Sequence, residues 1–329
     1  MSGPSLFDSV ELPGSGASLA NRLVMAPMPT FAAHSDGSAG SAEVAYYVRR
    51  APGLGAVITA GCSVSLEGVC FDGQWRCDSD SLIPSLQSVA AAIEAHSFSV
   101  LQLCHGGAFT DRLDLAGVID EFEQGARRAK EAGFSAVEIH GGHRYLLQQC
   151  FSRRNPNPSV ADRSRLSLAI VEACARHLPC WYRLDPEEQG PAGISFVETV
   201  EFANRLVDSG VQVLDVSAKR YDQGSILDSD DLRPRAALLA AALVGRALVL
   251  GVGGIDTPDQ AETVLNGGCA LVGLGSVLLA NPAWPRDARE GRSISDPSKK
   301  PSSDTLVSLA VPMPVIRYLA KRGRLSDAS

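Results

Sequence analysis

Eight short apolar segments recur along the chain, and a stretch with helical periodicity follows nearly every one of them. Parallel strands need crossover connections, so this alternation indicates a parallel sheet covered by helices. Eight such units favour a closed (β/α)8 TIM barrel over an open doubly wound sheet. The predicted strands are residues 23–28, 55–61, 98–104, 136–140, 180–184, 211–217, 247–253 and 270–275.

The intervening segments carry the usual signals of helix ends. Polar residues that can cap a helix precede or open several of them, and glycines follow two. The predicted caps are Ser41, Asp162, Ser195 and Thr257, and the predicted stops are Gly133 and Gly210. The predicted helices are residues 42–50, 82–96, 121–132, 163–177, 196–209, 234–243 and 258–266.

The ends of the chain read as additions to one barrel. Residues 6–12 read as one strand of a short N-terminal hairpin, and the barrel core spans about residues 21–292. A segment rich in serine, lysine and proline, residues 292–303, then leads to an extra C-terminal helix over about residues 304–322. No low-complexity linker divides the chain, so we expect residues 1–329 to form a single domain.

Composition narrows the function. The net charge is −7 and basic residues are scattered, which argues against a nucleic-acid partner. No apolar run reaches membrane-spanning length and no signal peptide is evident, so we expect a cytoplasmic protein. The eight cysteines form no CxxC pair, so we expect no metal site and a reducing compartment.

The polar residues at the ends of the predicted strands point to chemistry, because active sites of such barrels lie there. His140, His143 and Tyr145 follow the fourth strand, and imidazole and phenol groups donate hydrogen bonds and protons. Arg183 lies inside the fifth strand and needs a partner. The partner is either a carboxylate such as Asp185 or Glu138, or a ligand that accepts negative charge.

Glycines after the last two strands are typical of phosphate binding in these barrels, because bare backbone amides can approach an anion. Gly253 and Gly254 lie at the end of the seventh strand, and Gly275 and Ser276 lie at the end of the eighth. As turn residues alone they would be unremarkable. Together they favour a ligand that carries a phosphate.

Several spaced motifs between residues 20 and 292 resemble the Old Yellow Enzyme family of FMN-dependent ene-reductases. The resemblance implies a barrel with tightly bound FMN, reduced by NADH or NADPH, that passes hydride to an activated alkene. The motifs are residues 21–28 (NRLVMAPM), 102–107 (QLCHGG), 140–147 (HGGHRYLL), 253–258 (GGIDTP) and 279–284 (LANPAW).

The resemblance also implies roles for individual residues. His140 and His143 would hold the substrate carbonyl oxygen, Tyr145 would protonate the α-carbon, and Phe31 would contact the substrate. Gln102 and Arg183 would bind the pyrimidine edge of the flavin. The remaining flavin contacts would come from Pro27, Met28, Pro29, Ala60, Gly253, Gly254, Gly275 and Ser276.

The sequence departs from the family pattern at four places. Pro29 stands where the family has a threonine or cysteine that tunes the flavin, and Ser276 replaces an arginine that binds the phosphate. Lys219 or Arg220 could compensate for that arginine. The loops after Gly107 and Asn155 are shorter than in the family, so we expect a more open site and a next helix that begins near residue 121.

Other readings stay open at this point. The same chemistry could run towards desaturation or isomerisation of a cyclic enone. Lys219, after the sixth strand, could be the Schiff-base amine of an aldolase. A degenerate member could bind FMN weakly and serve as a binding protein. The substrate, the choice of nicotinamide and a possible homo-oligomer are not readable from the sequence.

Overall fold

The computed structural model describes residues 3–110, 113–157, 159–190, 192–292 and 299–326. Its centre is a closed barrel of eight parallel strands, in the order β3-β4-β6-β7-β8-β9-β10-β11, and β11 pairs back with β3. The prediction of a TIM barrel is confirmed. The strands are β3 (Leu23–Met25), β4 (Ala56–Ile58), β6 (Phe98–Cys104), β7 (Ala136–Gly141), β8 (Cys180–Leu184), β9 (Val211–Val216), β10 (Leu248–Val252) and β11 (Leu271–Leu274).

The predicted N-terminal hairpin is confirmed and covers one end of the barrel. It consists of the antiparallel strands β1 (Val10–Glu11) and β2 (Ser18–Leu19). Leu12 and Leu19 are buried in an apolar cluster with side chains from inside the barrel, such as Trp181. Burial of this apolar surface stabilises the hairpin, which leaves the opposite end of the barrel for ligands.

Helices surround the barrel, and their apolar faces pack against the strands. They are α1 (Ser41–Arg50), α2 (Ile83–Glu94), α3 (Leu115–Glu131), α4 (Leu146–Phe151), α5 (Val160–Cys174), α6 (Phe196–Asp208), α7 (Arg235–Ala242), α8 (Pro258–Asn266), α9 (Val277–Ala280) and α10 (Trp284–Arg289). No helix among the described residues is long and apolar enough to cross a bilayer.

Two of the four predicted helix caps are confirmed, and two are wrong. Ser195 and Thr257 cap α6 and α8 as predicted, each in a capping box. The Ser41 prediction is wrong because α1 is capped by Gly40. The Asp162 prediction is wrong because Ser159 caps α5, and its hydroxyl accepts a hydrogen bond from the Asp162 amide.

One further helix start differs from the sequence prediction, and two helix ends agree with it. The third helix was expected near residue 121, but α3 begins at Leu115, after Asp114 as its cap. Both glycine stops are confirmed: Gly133 and Gly210 have positive φ directly after their helices.

The C-terminal segment forms two helices rather than one. Helix α11 (Ser303–Ser308) ends before Ala310, whose φ is +56°, and α12 (Met313–Lys321) begins after Pro312. A proline disfavours helical conformation in the residue before it, so the Val311–Pro312 step separates the helices. The segment packs on its own barrel: the guanidinium of Arg50 donates to the Leu309 carbonyl.

Candidate active site

The end of β7 and the loop after it carry the two predicted imidazoles, His140 in the strand and His143 in the loop. A Cβ on Gly141 would lie 2.2 Å from the Tyr182 hydroxyl, and one on Gly142 would lie 2.8 Å from Asp185 Oδ1, so both positions require glycine. His143 and Arg144 then both have positive φ, at +56° and +63°. Strained backbone of this kind is held by its surroundings.

Hydrogen bonds from neighbouring elements hold this strained turn. The His143 amide donates to Asp185 Oδ2 at 3.0 Å. The Arg144 amide donates to Gln148 Oε1 at 2.6 Å, and Gln149 Nε2 donates to the Arg144 carbonyl at 2.7 Å. Asp185 and the start of α4 therefore fix the direction in which the His143 side chain points.

The two imidazoles and one hydroxyl form a chain of hydrogen bonds. His143 Nδ1 lies 3.0 Å from His140 Nε2, and His143 Nε2 lies 3.1 Å from Ser217 Oγ at the end of β9. Burial lowers the pKa of His140 well below its usual value, with further lowering by His143 and Arg183. Burial also lowers the pKa of His143. Both rings are therefore neutral near pH 7, so each has one N–H donor and one acceptor nitrogen, and in their mutual hydrogen bond one ring donates and the other accepts.

Tyr145 completes the predicted set. Its ring packs edge-on against His140, with 5.4 Å between ring centroids. Burial, with smaller contributions from Cys70 and Cys104, raises the pKa of Tyr145 to about 12. The phenol therefore keeps its proton at neutral pH, as a proton donor must.

Arg183 lies next to the imidazoles and pairs with a carboxylate that the sequence analysis did not name. Arg183 Nε is 3.2 Å from Asp215 Oδ2, and the two residues are register partners on β8 and β9. The predicted partners were Asp185 and Glu138. Asp185 instead binds the backbone of His143, and Glu138 instead accepts a hydrogen bond from Gln102.

The Arg183 guanidinium can still donate to a ligand. Its buried Nε faces Asp215 at 3.2 Å without hydrogen-bond geometry, and Arg183 lines the cavity at the barrel mouth. A buried cation whose remaining nitrogens can donate fits a ligand edge that accepts hydrogen bonds and negative charge. The residues present thus fit a flavin at this position.

Gln102 and Glu138 extend the polar layer inside the barrel. Gln102 Nε2 donates to Glu138 Oε1 at 2.7 Å across β6 and β7. The pKa of Glu138 is raised to about 8, mainly by burial and also by the nearby Asp215, while Arg183 and the hydrogen bond from Gln102 act in the opposite direction. Glu138 is therefore largely protonated at neutral pH, beside an arginine that already has Asp215 as its counter-ion.

This carboxyl predicts a pH dependence of stability. The ordinary pKa of a glutamate is about 4.3, so between that value and about 8 the folded chain holds a proton that the unfolded chain releases. The free energy of unfolding should fall with rising pH through this window, by up to about 1.4 kcal/mol per pH unit from this group. Denaturation of wild type and Glu138→Gln at several pH values measures the difference. A difference that does not change with pH would contradict the prediction.

The loop after β3 offers a ligand little side-chain hydrogen bonding. Thr30 follows the predicted contacts Pro27, Met28 and Pro29, but it is buried and its hydroxyl donates to Glu43. Thr30 therefore does not replace the side-chain donor that proline lacks. The pKa of Glu43 is raised by burial to about 7.

Ala60 differs from its expected role as a backbone contact. Its amide donates to Tyr47 Oη at 2.8 Å, and its carbonyl accepts from Trp75 Nε1 at 3.1 Å and from Thr59 Oγ1 at 3.0 Å. Both backbone groups of Ala60 are thus already paired. A flavin there would contact its methyl group rather than its amide.

The predicted phosphate glycines are not equivalent. A Cβ on Gly253 would lie 2.6 Å from the Ala218 carbonyl, so packing against the loop after β9 already requires this glycine. A Cβ on Gly254, with φ of +58°, would make ordinary contact with the Lys219 carbonyl at 3.6 Å, and one on Gly275 would lie 3.9 Å from Met28 Sδ, so neither glycine is packed as tightly as Gly253. Ser276 is exposed and precedes α9, and Arg220 is paired with Asp222. Open backbone thus remains at two positions, and Arg220 is not a spare cation.

Phe31 belongs to an aromatic cluster at the barrel mouth. Its ring lies 5.1 Å from that of Phe71 and 5.2 Å from that of Tyr318 on α12, measured between centroids. The C-terminal helix therefore reaches the edge of the predicted substrate position. His105, from a motif of the same resemblance, is structural: its carbonyl accepts from the Leu146 amide.

A cavity of about 390 Å³ opens beside these groups. It brings together His143, Arg183 and Ser217 with Asp185 and Lys219. Its lining does not include His140, Gln102, Tyr145 or the predicted contacts on the loops after β3, β10 and β11. Ser217 and Asp185 were not assigned to the site from the sequence. Their positions at strand ends were the available signal.

Comparison with known proteins agrees with this geometry. A family model described as the NADH:flavin oxidoreductase / NADH oxidase family matches residues 5–115 and 109–295. A Bacillus subtilis (strain 168) protein named "Probable NADH-dependent flavin oxidoreductase YqiG" is 32% identical over 320 residues, covering 84% of this chain and 86% of that protein. The NADH:fumarate oxidoreductase of Klebsiella pneumoniae (strain 342) is 29% identical, and the match covers 95% of this chain and 39% of that longer protein.

Solved structures share the fold at low identity. The Old Yellow Enzyme homologue from Zymomonas mobilis superposes with a TM-score of 0.76 at 19% identity, covering 92% of this chain and 96% of that one. Morphinone reductase gives a TM-score of 0.77 at 20% identity, with 93% of both chains covered. The cofactor and reductant of the matched family are FMN and NADH or NADPH. The resemblance to Old Yellow Enzyme is confirmed, and the chain belongs to the NADH:flavin oxidoreductase / NADH oxidase family.

Proposed function

We propose that this flavin oxidoreductase reduces the activated C=C bond of an α,β-unsaturated carbonyl compound. The observation that carries the proposal is the grouping of two neutral imidazoles and a protonated phenol around one strand end. The guanidinium of Arg183 lies next to them and can still donate hydrogen bonds to a ligand. Such a set can bind a carbonyl oxygen, stabilise it as it gains negative charge, and supply a proton.

FMN, when bound, would supply the hydride that it receives from NADH or NADPH. Gln102 and Arg183 would hold its pyrimidine edge, and the guanidinium would offset negative charge there. The open backbone at Gly254 and Gly275 would accommodate its phosphate, with Gly253 shaping the turn. Pro27, Met28, Pro29 and Ala60 would pack against it.

The imidazoles would act on the substrate oxygen. A bound carbonyl oxygen would take the place of the hydrogen bond between His140 Nε2 and His143 Nδ1, and it would receive donors from both rings. Ser217 Oγ, 3.1 Å from His143 Nε2, would keep that ring oriented. Because both rings are neutral, they would stabilise developing charge without protonating the oxygen first.

Tyr145 would deliver the proton to the α-carbon. Its raised pKa keeps the hydroxyl protonated across neutral pH, and its ring contact with His140 holds it beside the carbonyl position. Phe31 would contact the substrate from the opposite edge of the mouth. The whole set would add hydride and proton to two neighbouring carbons.

Product analysis tests this function. The FMN-loaded protein is incubated with 2-cyclohexenone and either NADH or NADPH without oxygen, and the products are separated by gas chromatography. We expect cyclohexanone in an amount equal to the nicotinamide oxidised. Nicotinamide oxidation that never yields saturated ketone, across several cyclic and open-chain enones, would contradict the proposal.

The phosphate position gives a gain-of-function prediction. Ser276 is exposed and has a helical backbone conformation, so an arginine fits there without strain. A hydrogen bond to a charged group contributes about 1.5–3 kcal/mol, so Ser276→Arg should lower the FMN dissociation constant about tenfold or more. Fluorescence titration of the apoprotein measures this constant.

Two controls isolate the phosphate contact. Ser276→Gln has a long polar side chain without the charge, and riboflavin lacks the phosphate. The gain should therefore be limited to the arginine variant with FMN. An equal gain for riboflavin, or no gain for FMN, would show that Ser276 lies away from the phosphate.

A further inference from the structure

Two cysteine thiols meet beside the proposed proton donor. Cys70 Sγ lies 3.2 Å from Cys104 Sγ, although the residues are 34 positions apart. Cys104 is the buried last residue of β6, and Cys70 lies in a loop with part of its surface exposed. A disulfide has an S–S distance of about 2.05 Å, so these sulfurs need to approach by roughly 1.2 Å.

Backbone contacts hold the two segments together. The Gly106 amide donates to the Gly68 carbonyl at 2.7 Å. A Cβ on Gly106 would lie 3.0 Å from the Cα of Cys70, so the glycine permits this close approach. On the other side, the Cys70 amide donates to Gln74 Oε1 at 2.6 Å. These contacts therefore hold the Cys70 and Cys104 thiols close together before any oxidation.

The two thiols differ in character. The hydrogen bond from Cys104 lowers the pKa of Cys70, with Gln74 and Tyr145 adding to the effect. The hydrogen bond to Cys70 and burial raise the pKa of Cys104 well above its usual value. The thiolate is the nucleophile in thiol oxidation, so Cys70 should react first and Cys104 should respond to it.

We propose that Cys70 and Cys104 are a redox-active dithiol that a peroxide converts into a reversible disulfide. The Cys70 thiolate attacks one oxygen of hydrogen peroxide, the O–O bond breaks, hydroxide leaves, and Cys70 becomes a sulfenic acid. Cys104 Sγ then attacks Cys70 Sγ, the S–O bond breaks, and water leaves after the thiol proton is transferred. The peroxide is reduced and the two sulfurs are oxidised by two electrons in all.

The other cysteines provide an internal contrast. All six are buried, and burial raises the pKa of Cys150 to about 12. Cys150 lies in α4, close to Tyr145 in the chain, and it is not paired in the way that Cys70 is paired with Cys104. It therefore serves as a comparison thiol. Since Cys70 also neighbours the Tyr145 hydroxyl, oxidation of the pair would change the surroundings of that group.

Peptide mass spectrometry of the FMN-loaded protein tests the proposal. The protein is treated with a small excess of hydrogen peroxide without nicotinamide. It is then denatured in the presence of N-ethylmaleimide, which blocks the remaining free thiols, and digested without reductant. We expect one linked peptide pair joining Cys70 to Cys104, lighter by two hydrogen atoms and released by dithiothreitol. Cys70 should react about tenfold or more faster than Cys150.

Two cysteine variants make the test more specific. Cys104→Ser should leave a Cys70 sulfenic acid that dimedone traps, whereas Cys150→Ser should form the linked pair as the wild type does. Three results would each overturn the proposal: both thiols still labelled by maleimide, oxidation of Cys70 directly to a sulfinic acid beside an unmodified Cys104, or oxidation spread evenly over the eight cysteines.

Discussion

The His140→Ala variant is expected to reduce an α,β-unsaturated ketone about 100- to 1,000-fold more slowly than the wild type, because it loses one donor to the developing oxyanion. FMN should remain bound, since Arg183 and Gln102 rather than His140 are proposed to hold it. Single-turnover re-oxidation of the reduced protein by the enone measures the rate, and the flavin absorption spectrum reports on the bound cofactor.

A matched variant guards against a general effect of losing an imidazole. His177 lies beside Glu123, between α5 and the start of β8, whereas His140 lies near the end of β7, so His177→Ala should retain the wild-type rate. Full activity in His140→Ala would rule out its role as an oxyanion donor. Loss of FMN from that variant would show that the ring supports the cofactor instead.

The Tyr145→Phe variant is expected to separate the two half-reactions. Reduction by NADH or NADPH should stay near the wild-type rate, while re-oxidation by an enone should slow about 100- to 10,000-fold, because only the second step needs a proton from the phenol. Stopped-flow absorbance measures both steps. The ring and its packing on His140 are retained, so the change is confined to the hydroxyl.

Two comparisons make this result specific. Ferricyanide takes electrons without forming a C–H bond, so it should re-oxidise Tyr145→Phe at the wild-type rate. Tyr182→Phe removes another buried hydroxyl, which bonds Ser167 3.0 Å away, and should leave both half-reactions unchanged. Equal slowing of both half-reactions in Tyr145→Phe would exclude its role as proton donor.

Most of the barrel could be predicted from the sequence, because buried parallel strands are continuous apolar runs with strong local signals. All eight strands, and the polar motifs at their carboxyl ends, could be located in this way. The break in the C-terminal segment was missed, because a single helix was predicted over about residues 304–322 although Val311-Pro312 disfavours a continuous helix. The two-residue strand β5 (Cys62–Ser63) was not predicted, because its pairing with Leu103 and Cys104 has no periodic signature.

What the sequence did not reveal depends on register and on distant contacts. Asp215 is the partner of Arg183 because β8 and β9 pair in one register, which no local pattern specifies. The buried Arg50 holds the Leu309 carbonyl 259 residues away. The Cys70–Cys104 contact likewise follows from how one loop folds over the end of β6.

We propose that the chain passes hydride from NAD(P)H, through bound FMN, to an enone held by the groups around β7. Anaerobic stopped-flow spectroscopy of the purified, FMN-loaded protein tests this transfer most directly. We expect NADH or NADPH to bleach the flavin band and a subsequent enone to restore it. A protein that takes up no added FMN, or whose reduced flavin is indifferent to every enone tried, would contradict it.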